Sequence, residues 1–320
     1  MPTSRSLIIG GTEVSRNEDW PSYAAAFAWT GIGGGGWGCG GALIHRDIIL
    51  TAAHCHWVYQ DHGAWIGASH IDGGDGHFWP TAELIVHPEY TDQQLVHNDI
   101  MLVKLNGTVS NVLEFYKYNT DPTVPVDGES LRVIGFGTTA ENGNVSTTLR
   151  QVDIDYVSNK DCNNTWPLLD NKLHLCAGTK EGGKDACDSD SGSPIFVLDG
   201  ENKFILVATV GDGIGCARAG IPSVNARTST YANWIHETVC NVSSHPPVTC
   251  VNGSLWAGAS ATTTPNDNDL SSSSSSPWPY SYTSIAFVLL GACAIAHYAR
   301  QWQNRKRRQG YQTVDTELTF

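Results

Sequence analysis

Three short segments of this chain carry residue types that perform acyl transfer when they are brought together. They are Thr-Ala-Ala-His-Cys at 51–55, Asn-Asp-Ile-Met-Leu at 98–102 and Cys-Asp-Ser-Asp-Ser-Gly-Ser-Pro at 187–194. A serine hydroxyl is a poor nucleophile at neutral pH, so an imidazole must take its proton and a carboxylate must fix the imidazole tautomer. The pattern therefore predicts Ser191 as the nucleophile, His54 as the general base and Asp99 as the residue that orients His54.

Because these segments come from distant parts of the chain, a folded scaffold must bring them together. The 320 residues include 33 Gly and 14 Pro, and 41% of the chain is hydrophobic, which indicates a turn-rich domain with a sizeable core. Short apolar runs at 48–50, 101–103 and 204–207 are bounded by Gly, Asp or Asn and predict strands with tight loops. Residues 231–239 have apolar side chains at helical spacing and predict a helix near the domain's end.

The order His54, Asp99, Ser191 resembles that of the chymotrypsin/trypsin family of serine proteases. Three more segments are similar to that family: Ile-Ile-Gly-Gly at 8–11 to the mature N-terminus, Cys-Gly-Gly-Ala-Leu-Ile at 39–44 to the strand before the histidine, and Ile-Gly-Phe-Gly at 134–137 to the start of the second barrel. The resemblance covers residues 8–240. It implies an all-β fold of two packed six-stranded antiparallel β-barrels with a C-terminal helix, and a serine endopeptidase with no cofactor and no metal.

The nine cysteines indicate a disulfide framework and an oxidising compartment. Cys293 lies in a long apolar segment, and sequence alone leaves many connectivities open for the other eight. The family resemblance implies three pairs and leaves a fourth by exclusion: Cys39–Cys55, Cys162–Cys176, Cys187–Cys216 and Cys240–Cys250. Zinc binding is the competing interpretation, but the chain has no Cys-x-x-Cys spacing to support it.

Five Asn-x-Ser/Thr sequons agree with such a compartment and predict a glycoprotein. They are Asn106, Asn144, Asn163, Asn241 and Asn252. The chain carries a net charge of −13, and an acidic surface gives no reason to expect nucleic-acid binding. The expected partners are protein or peptide substrates, protein inhibitors and a membrane.

The chain changes character after the protease-like region. Residues 241–281 are predicted to form a disulfide loop and a Ser/Thr/Pro-rich stalk, because the unbroken serines at 271–276 cannot bury enough apolar surface to order it. Residues 282–299 contain no charged side chain and are just long enough for a transmembrane helix, with a buried helix as the alternative. The basic tail at 300–320 places that end in the cytosol. The sequence therefore predicts a single-pass membrane protein, with its protease domain extracellular or lumenal, at the cell surface or in endolysosomal membranes.

Residues 1–7 are interpreted as a short leader or propeptide remnant. They lack the apolar core of a signal peptide, so we expect the natural chain to begin upstream of Met1. In the resembled family, a cut frees the amino group of the Ile-x-Gly-Gly motif, which then pairs with the aspartate before the nucleophile. That resemblance implies an activation pair of Ile8 and Asp190, since a buried charge needs a partner. Leu7 precedes Ile8, so a trypsin-type cut does not generate this end.

The resemblance also implies an oxyanion hole made by the backbone N–H groups of Ser189 and Ser191. The family's usual glycine two residues before the nucleophile is Ser189 in this chain. Because serine lacks the conformational freedom of glycine, the sequence does not fix the direction in which the Ser189 N–H points.

A specificity pocket is implied at Asp185, which matches the carboxylate that pairs with a substrate Arg or Lys in trypsin-like members. The alternative is a surface loop aspartate. The expected walls are Gly213 and Ser223, and Ser223 replaces a glycine and narrows the slot. Gly211 replaces a serine whose hydroxyl would donate to Asp99.

The sequence therefore predicts a serine endopeptidase that cleaves after Arg or Lys. Two other classes stay open: a catalytically impaired protease homologue that acts as a binding or inhibitory protein, and a cell-surface adhesion or receptor domain. The complete set of three catalytic residue types favours the enzyme, whereas Ser189, Gly211 and Ser223 keep the alternatives open.

Overall fold

A computed structural model describes residues 8–14, 20–29, 36–91, 97–110, 112, 114–201 and 203–250, all within the unit Met1–Ala259. The predicted leader (1–7), span (282–299) and tail (300–320) lie outside these ranges, as do the stalk beyond residue 250 and the sequon at Asn252. No helix among the described residues is long and apolar enough to cross a membrane.

The described residues form strands and a few short helices. In chain order the strands are β1 (Thr12–Glu13), β2 (Tyr23–Trp29), β3 (Gly36–His45), β4 (Ile48–Thr51), β5 (Ala64–Ile66), β6 (His77–Trp79), β7 (Thr81–Val86), β8 (Met101–Leu105), β9 (Lys117–Tyr118), β10 (Ser130–Gly135), β11 (Arg150–Val157), β12 (His174–Gly178), β13 (Pro194–Leu198), β14 (Phe204–Asp212) and β15 (Ser223–Arg227). The helices are α1 (His56–His62), α2 (Asn159–Thr165) and α3 (Ala232–Val242), with 3₁₀ turns at Ala53–Cys55, Thr228–Tyr231 and Val248–Cys250.

The first barrel contains β2 to β8 in the antiparallel order β6-β5-β2-β3-β4-β8-β7. Pro80 alone separates β6 from β7, and proline interrupts a strand because it has no N–H to donate. Since β6 pairs with β5 and β7 pairs with β8, the two segments act as one broken strand that closes the path. This barrel is therefore a ring of six strands.

The second barrel closes through antiparallel pairing in the order β11-β10-β13-β14-β15-β12, with β12 pairing back to β11. Two short strands are added to this ring: β1 pairs with β11, and β9 pairs with β14 in a parallel arrangement. The helix predicted over 231–239 is α3, which follows a 3₁₀ turn. The all-β two-barrel fold with a C-terminal helix is confirmed, as are strands at the three apolar runs.

Three large apolar cores and one smaller cluster around Leu169 and Val224 hold this fold together. One fills the first barrel around Leu43 and Val103, and another fills the second barrel around Val133 and Ile154. The third lies between the barrels and combines residues from both, including Leu50, Leu102, Phe136 and Phe196. Burial of this apolar surface from both barrels stabilises the interface between them.

Four disulfides join distant or irregular segments: Cys39–Cys55, Cys162–Cys176, Cys187–Cys216 and Cys240–Cys250. These are the pairs that the family resemblance and exclusion predict. The first holds β3 against the turn that carries His54, and the third joins the loop before Ser191 to the loop after β14. Both therefore restrain backbone that borders the candidate site.

Candidate active site

The three predicted catalytic residues lie at strand ends where the two barrels meet. His54 lies in the 3₁₀ turn after β4, Asp99 lies two residues before β8, and Ser191 lies three residues before β13. Because β4 and β8 belong to the first barrel and β13 to the second, packing of the barrels brings the Ser191 backbone next to Cys55, the residue after His54.

Asp99 holds His54 by two hydrogen bonds. The His54 backbone N–H donates to Asp99 Oδ1 over 2.9 Å, and His54 Nδ1 lies 2.7 Å from Asp99 Oδ2. Asp99 is 5% exposed and the His54 side chain is 31% exposed. A carboxylate in this position keeps the proton on Nδ1, so Nε2 is the nitrogen that can accept another proton.

The Ser191 backbone is fixed by contacts with the first barrel. Its carbonyl oxygen accepts a hydrogen bond from Gly40 N–H over 2.8 Å and lies 3.6 Å from the sulfur of Cys55, the residue after His54. Gly192 has a φ of +74°, and a Cβ there would come within 2.1 Å of Thr51 Oγ1. Glycine after the predicted nucleophile is therefore required by this close approach.

Ser189 adopts a left-handed backbone conformation although it is not a glycine. Its φ is +73°, in the left-handed region that favours glycine, and its hydroxyl accepts a hydrogen bond from Gly38 N–H over 3.4 Å. Within the described residues, the N–H groups of Ser189 and Ser191 donate to no other backbone group. Both N–H groups can therefore donate to a substrate oxygen that develops negative charge.

Asp190 is fully buried beneath this turn. Its carboxylate accepts hydrogen bonds from Gly137 N–H over 2.8 Å and Cys187 N–H over 3.0 Å. A Cβ at Gly135 or Gly137 would come within 2.0 Å of a carboxylate oxygen, which explains the glycine-aromatic-glycine segment. Burial raises the pKa of Asp190 to about 7 despite these two donors.

Ile8 is also fully buried, in the core of the second barrel. Gly10 has a φ of +72°, and its Cβ would come within 2.3 Å of Gly183 O, so the glycine after Ile-Ile is needed for close packing. Between Ile8 and Gly10, the carbonyl oxygen of Ile9 accepts a hydrogen bond from Asp185 N–H over 3.2 Å. No hydrogen bond joins Ile8 to Asp190 within the described residues.

We expect the uncut chain to lose folding stability as the pH rises from about 4 to about 7. The raised pKa means that the native state holds a proton on Asp190 in this range, whereas the unfolded chain releases it near pH 4. Urea unfolding at pH 4.5 and pH 7.5 measures the change. The Asp190→Asn variant and a chain that begins at Ile8 should lose less folding stability between these two pH values than the uncut wild type. An equal loss in all three proteins would show that the proton on Asp190 is not the cause.

Asp185 and Ser191 line one cavity of about 240 Å³. Asp185 is 4% exposed, and its Oδ2 accepts a hydrogen bond from Ala217 N–H over 2.9 Å. Its Oδ1 has no partner among the described residues, and burial raises the pKa of Asp185 to about 6. A buried carboxylate with one unused oxygen is suited to a cationic ligand.

Gly213 and Ser223 both line this cavity, at the neighbouring ends of the paired strands β14 and β15. A Cβ on Gly213 would lie 3.9 Å from Ser223 Cβ. The Ser223 hydroxyl donates to Ala177 O over 3.0 Å, so it is turned toward the wall of the barrel. Only the Cβ of Ser223 therefore adds bulk to the slot.

Asn225, which the sequence does not single out, is 1% exposed and holds this wall in place. Its side-chain nitrogen donates to Leu175 O over 3.1 Å and to the Ser223 hydroxyl over 3.2 Å, and its oxygen accepts from Gly211 N–H over 3.2 Å. Nothing in the local sequence distinguishes this asparagine from a loop residue, because its three partners come from three strands.

Gly211 lies in a β-bulge where β14 pairs with β15. The register moves from Thr209 opposite Ala226 to Asp212 opposite Val224, so Val210 and Gly211 together face Asn225. A Cβ at Gly211 would come within 2.5 Å of Val224 O. The local backbone therefore excludes the serine that the family has at this position, unless the bulge shifts.

Three groups of described side chains come close enough together to share a metal ion. Each group contains two cysteines that are joined in a disulfide, namely Cys39–Cys55, Cys187–Cys216 and Cys240–Cys250. A disulfide sulfur is not a thiolate, and the thiolate is the form that binds a metal. These groups are therefore poor metal sites.

The predicted sequons differ in their exposure. Asn106, Asn144 and Asn241 are exposed, whereas Asn163 is only partly exposed and its side-chain oxygen is buried without a partner among the described residues. Glycosylation remains a prediction at these four sites, and the first three offer better access to a glycan-adding enzyme.

Comparison with known proteins agrees with this fold. The model of the Trypsin family matches residues 8–235. Trypsin-1 of Astacus astacus is 33% identical over 245 residues, which cover 71% of this chain and 98% of that protein. Cationic trypsin-3 of Rattus norvegicus is 34% identical over 204 residues (63% and 79%), and the vitellin-degrading protease of Bombyx mori is 30% identical over 250 residues (75% and 89%).

This chain therefore belongs to the trypsin family. It is a trypsin-like serine endopeptidase, a hydrolase with four disulfides that acts on protein or peptide substrates.

Proposed function

We propose that this enzyme cleaves peptide bonds through Ser191, His54 and Asp99, and that it prefers Arg or Lys on the amino side of the bond. The observation that carries this proposal is the position of Asp185. Its buried carboxylate lines the same cavity as Ser191, so a cationic side chain bound there would bring its own carbonyl carbon to the nucleophile.

The proposed reaction begins when His54 Nε2 takes the hydroxyl proton of Ser191 and Oγ bonds to the substrate carbonyl carbon. The carbonyl electron pair moves to oxygen, and the N–H groups of Ser189 and Ser191 bind the resulting oxyanion. His54 then gives its proton to the leaving amine, and the C–N bond breaks. A water molecule repeats the sequence on the acyl-enzyme and releases the acid.

Activation is part of the same proposal. A chain that begins at Ile8 has a free, positively charged amino group. This cation would be the partner of opposite charge for the buried carboxylate of Asp190. Because Asp190 lies between Ser189 and Ser191, an ion pair there would hold both oxyanion donors. The left-handed φ of Ser189 supports a working oxyanion hole over the alternative of an impaired homologue.

A fluorophosphonate probe tests the nucleophile directly. We expect covalent labelling at Ser191 in folded, disulfide-intact protein trimmed to Ile8, and weaker labelling of the uncut chain. The Ser191→Ala variant should not react, while a trypsin sample serves as the positive control. If the trimmed protein stays unlabelled when trypsin reacts, the proposed activity is wrong.

We also propose that the enzyme is a glycosylated, single-pass membrane protein with its protease domain on the extracellular or lumenal side. The uncharged stretch at 282–299 and the basic tail after it support this topology. Expressed behind a signal peptide, the chain should fractionate with membranes and lose mass on glycosidase treatment. Truncation before Ser271 should release a soluble domain; recovery of unglycosylated full-length protein in the soluble fraction contradicts the topology.

A further inference from the structure

A small cavity of about 20 Å³ lies beside Asp99. It is bordered by Asp99, Gly211, Tyr231, His174 and Asn225. A cavity needs roughly 10–15 Å³ to hold one water molecule, and the water needs polar partners. This cavity is therefore large enough for a single water and is bordered by polar side chains.

The Tyr231 hydroxyl is a buried polar group without a hydrogen-bond partner among the described residues. Tyr231 is 3% exposed. Its ring makes an edge contact with the His87 ring, at a centroid distance of 5.3 Å. Burial and the nearby charge of Asp99 raise the pKa of Tyr231, so the hydroxyl keeps its proton. An unpaired buried hydroxyl is costly, which points to a partner in the cavity.

Asp99 also has unused capacity to accept hydrogen bonds. Its two described hydrogen bonds both come from His54, whereas an ionised carboxylate has about four acceptor positions. The bulge at Gly211 leaves no room for a serine side chain whose hydroxyl would donate here. A further donor to Asp99 must therefore come from elsewhere.

We propose that one ordered water fills this cavity, accepts a hydrogen bond from the Tyr231 hydroxyl and donates one to the Asp99 carboxylate. Tyr231 is then a positioning residue, because it acts on His54 through the water and Asp99. This inference rests on the proposed catalytic roles of Asp99 and His54.

The first test is a crystal structure of the wild-type enzyme at a resolution that shows ordered waters, with the Tyr231→Phe variant beside it. We expect a density peak within hydrogen-bond distance of the Tyr231 hydroxyl and the Asp99 carboxylate in the wild type, and its loss in the variant. An empty cavity in the wild type overturns the proposal, whether or not the protein is catalytically active.

The second test compares kinetics and a spectroscopic signal in Tyr231→Phe. We expect kcat to fall about tenfold with KM nearly unchanged, the scale of one hydrogen bond to a charged group. The proton NMR resonance of the His54–Asp99 hydrogen bond should shift as well. Tyr116→Phe is the matched control, because it also removes a buried tyrosine hydroxyl.

The outcomes separate this inference from the proposed function. If the wild type cleaves its substrate and Tyr231→Phe matches Tyr116→Phe in kcat and in the NMR resonance, the positioning role is wrong while the catalytic assignment stands. A lower kcat without a shifted resonance also overturns it, because the effect then does not pass through the His54–Asp99 bond. A wild type that resists the fluorophosphonate probe refutes the proposed function instead.

Discussion

Replacement of Asp99 by asparagine should lower kcat about 10⁴-fold while leaving the fold intact. The two hydrogen bonds from His54 decide how the new amide points. The His54 backbone N–H needs an acceptor at the Oδ1 position, so the amide oxygen stays there and the NH₂ group faces His54 Nδ1. Nδ1 must then accept a hydrogen bond, which moves its proton to Nε2, and Nε2 can no longer take the proton of Ser191.

Steady-state kinetics on a peptide substrate measures this loss, with unfolding by urea as the check on stability. Asp153→Asn is the control, since Asp153 is an exposed carboxylate on β11 that pairs with Arg132 on β10. A variant at Asp99 that retains activity within tenfold of the wild type would show that His54 does not depend on this carboxylate.

The second large effect is expected for Asp185→Ser, which should lower kcat/KM for substrates with Arg or Lys about 10⁴-fold. Asp185 is the buried carboxylate of the slot, and one of its oxygens has no described partner. Without it, a substrate cation would be buried with no opposite charge, and this desolvation cost opposes binding. The kcat/KM of Asp185→Ser for substrates with apolar residues at this position should be unchanged or increased, because an apolar side chain in the slot no longer lies over a buried charge.

A peptide-library cleavage profile compares the variants on equal terms. Asp212→Ser is a matched control, since Asp212 lines the same cavity but is exposed, and it should keep the preference for basic residues. If the wild type cleaves mainly after small or apolar residues, or if Asp185→Ser keeps a basic preference, Asp185 does not set specificity. Ser223→Gly should raise efficiency modestly without altering that preference.

These two variants also separate chemistry from recognition. Loss of Asp99 should reduce turnover for every substrate, because the general base is disabled. Loss of Asp185 should reduce turnover only for basic substrates, because the nucleophile and base remain in place. Fluorophosphonate labelling should therefore persist in Asp185→Ser and be strongly slowed in Asp99→Asn.

The sequence alone determined those features that depend on local residue types. The apolar runs at 48–50, 101–103 and 204–207 form strands in which most of these side chains are buried. The catalytic roles of His54, Asp99 and Ser191 are predicted from sequence because each residue lies in a short segment suited to its chemistry. The glycines at 135, 137 and 192 lie in the same kind of short segment, but the side chains that leave no room for a Cβ there come from distant residues, Asp190 and Thr51.

Only the tertiary structure decided how the walls around these residues are built. Asn225 joins Leu175, Ser223 and Gly211, which lie on or beside three different strands, so its role depends on strand pairing that no local pattern encodes. The same holds for the bulge at Gly211 and the unpaired hydroxyl of Tyr231 beside Asp99. A hydrogen bond between distant segments is set by register and packing, and these exist only once both barrels have closed.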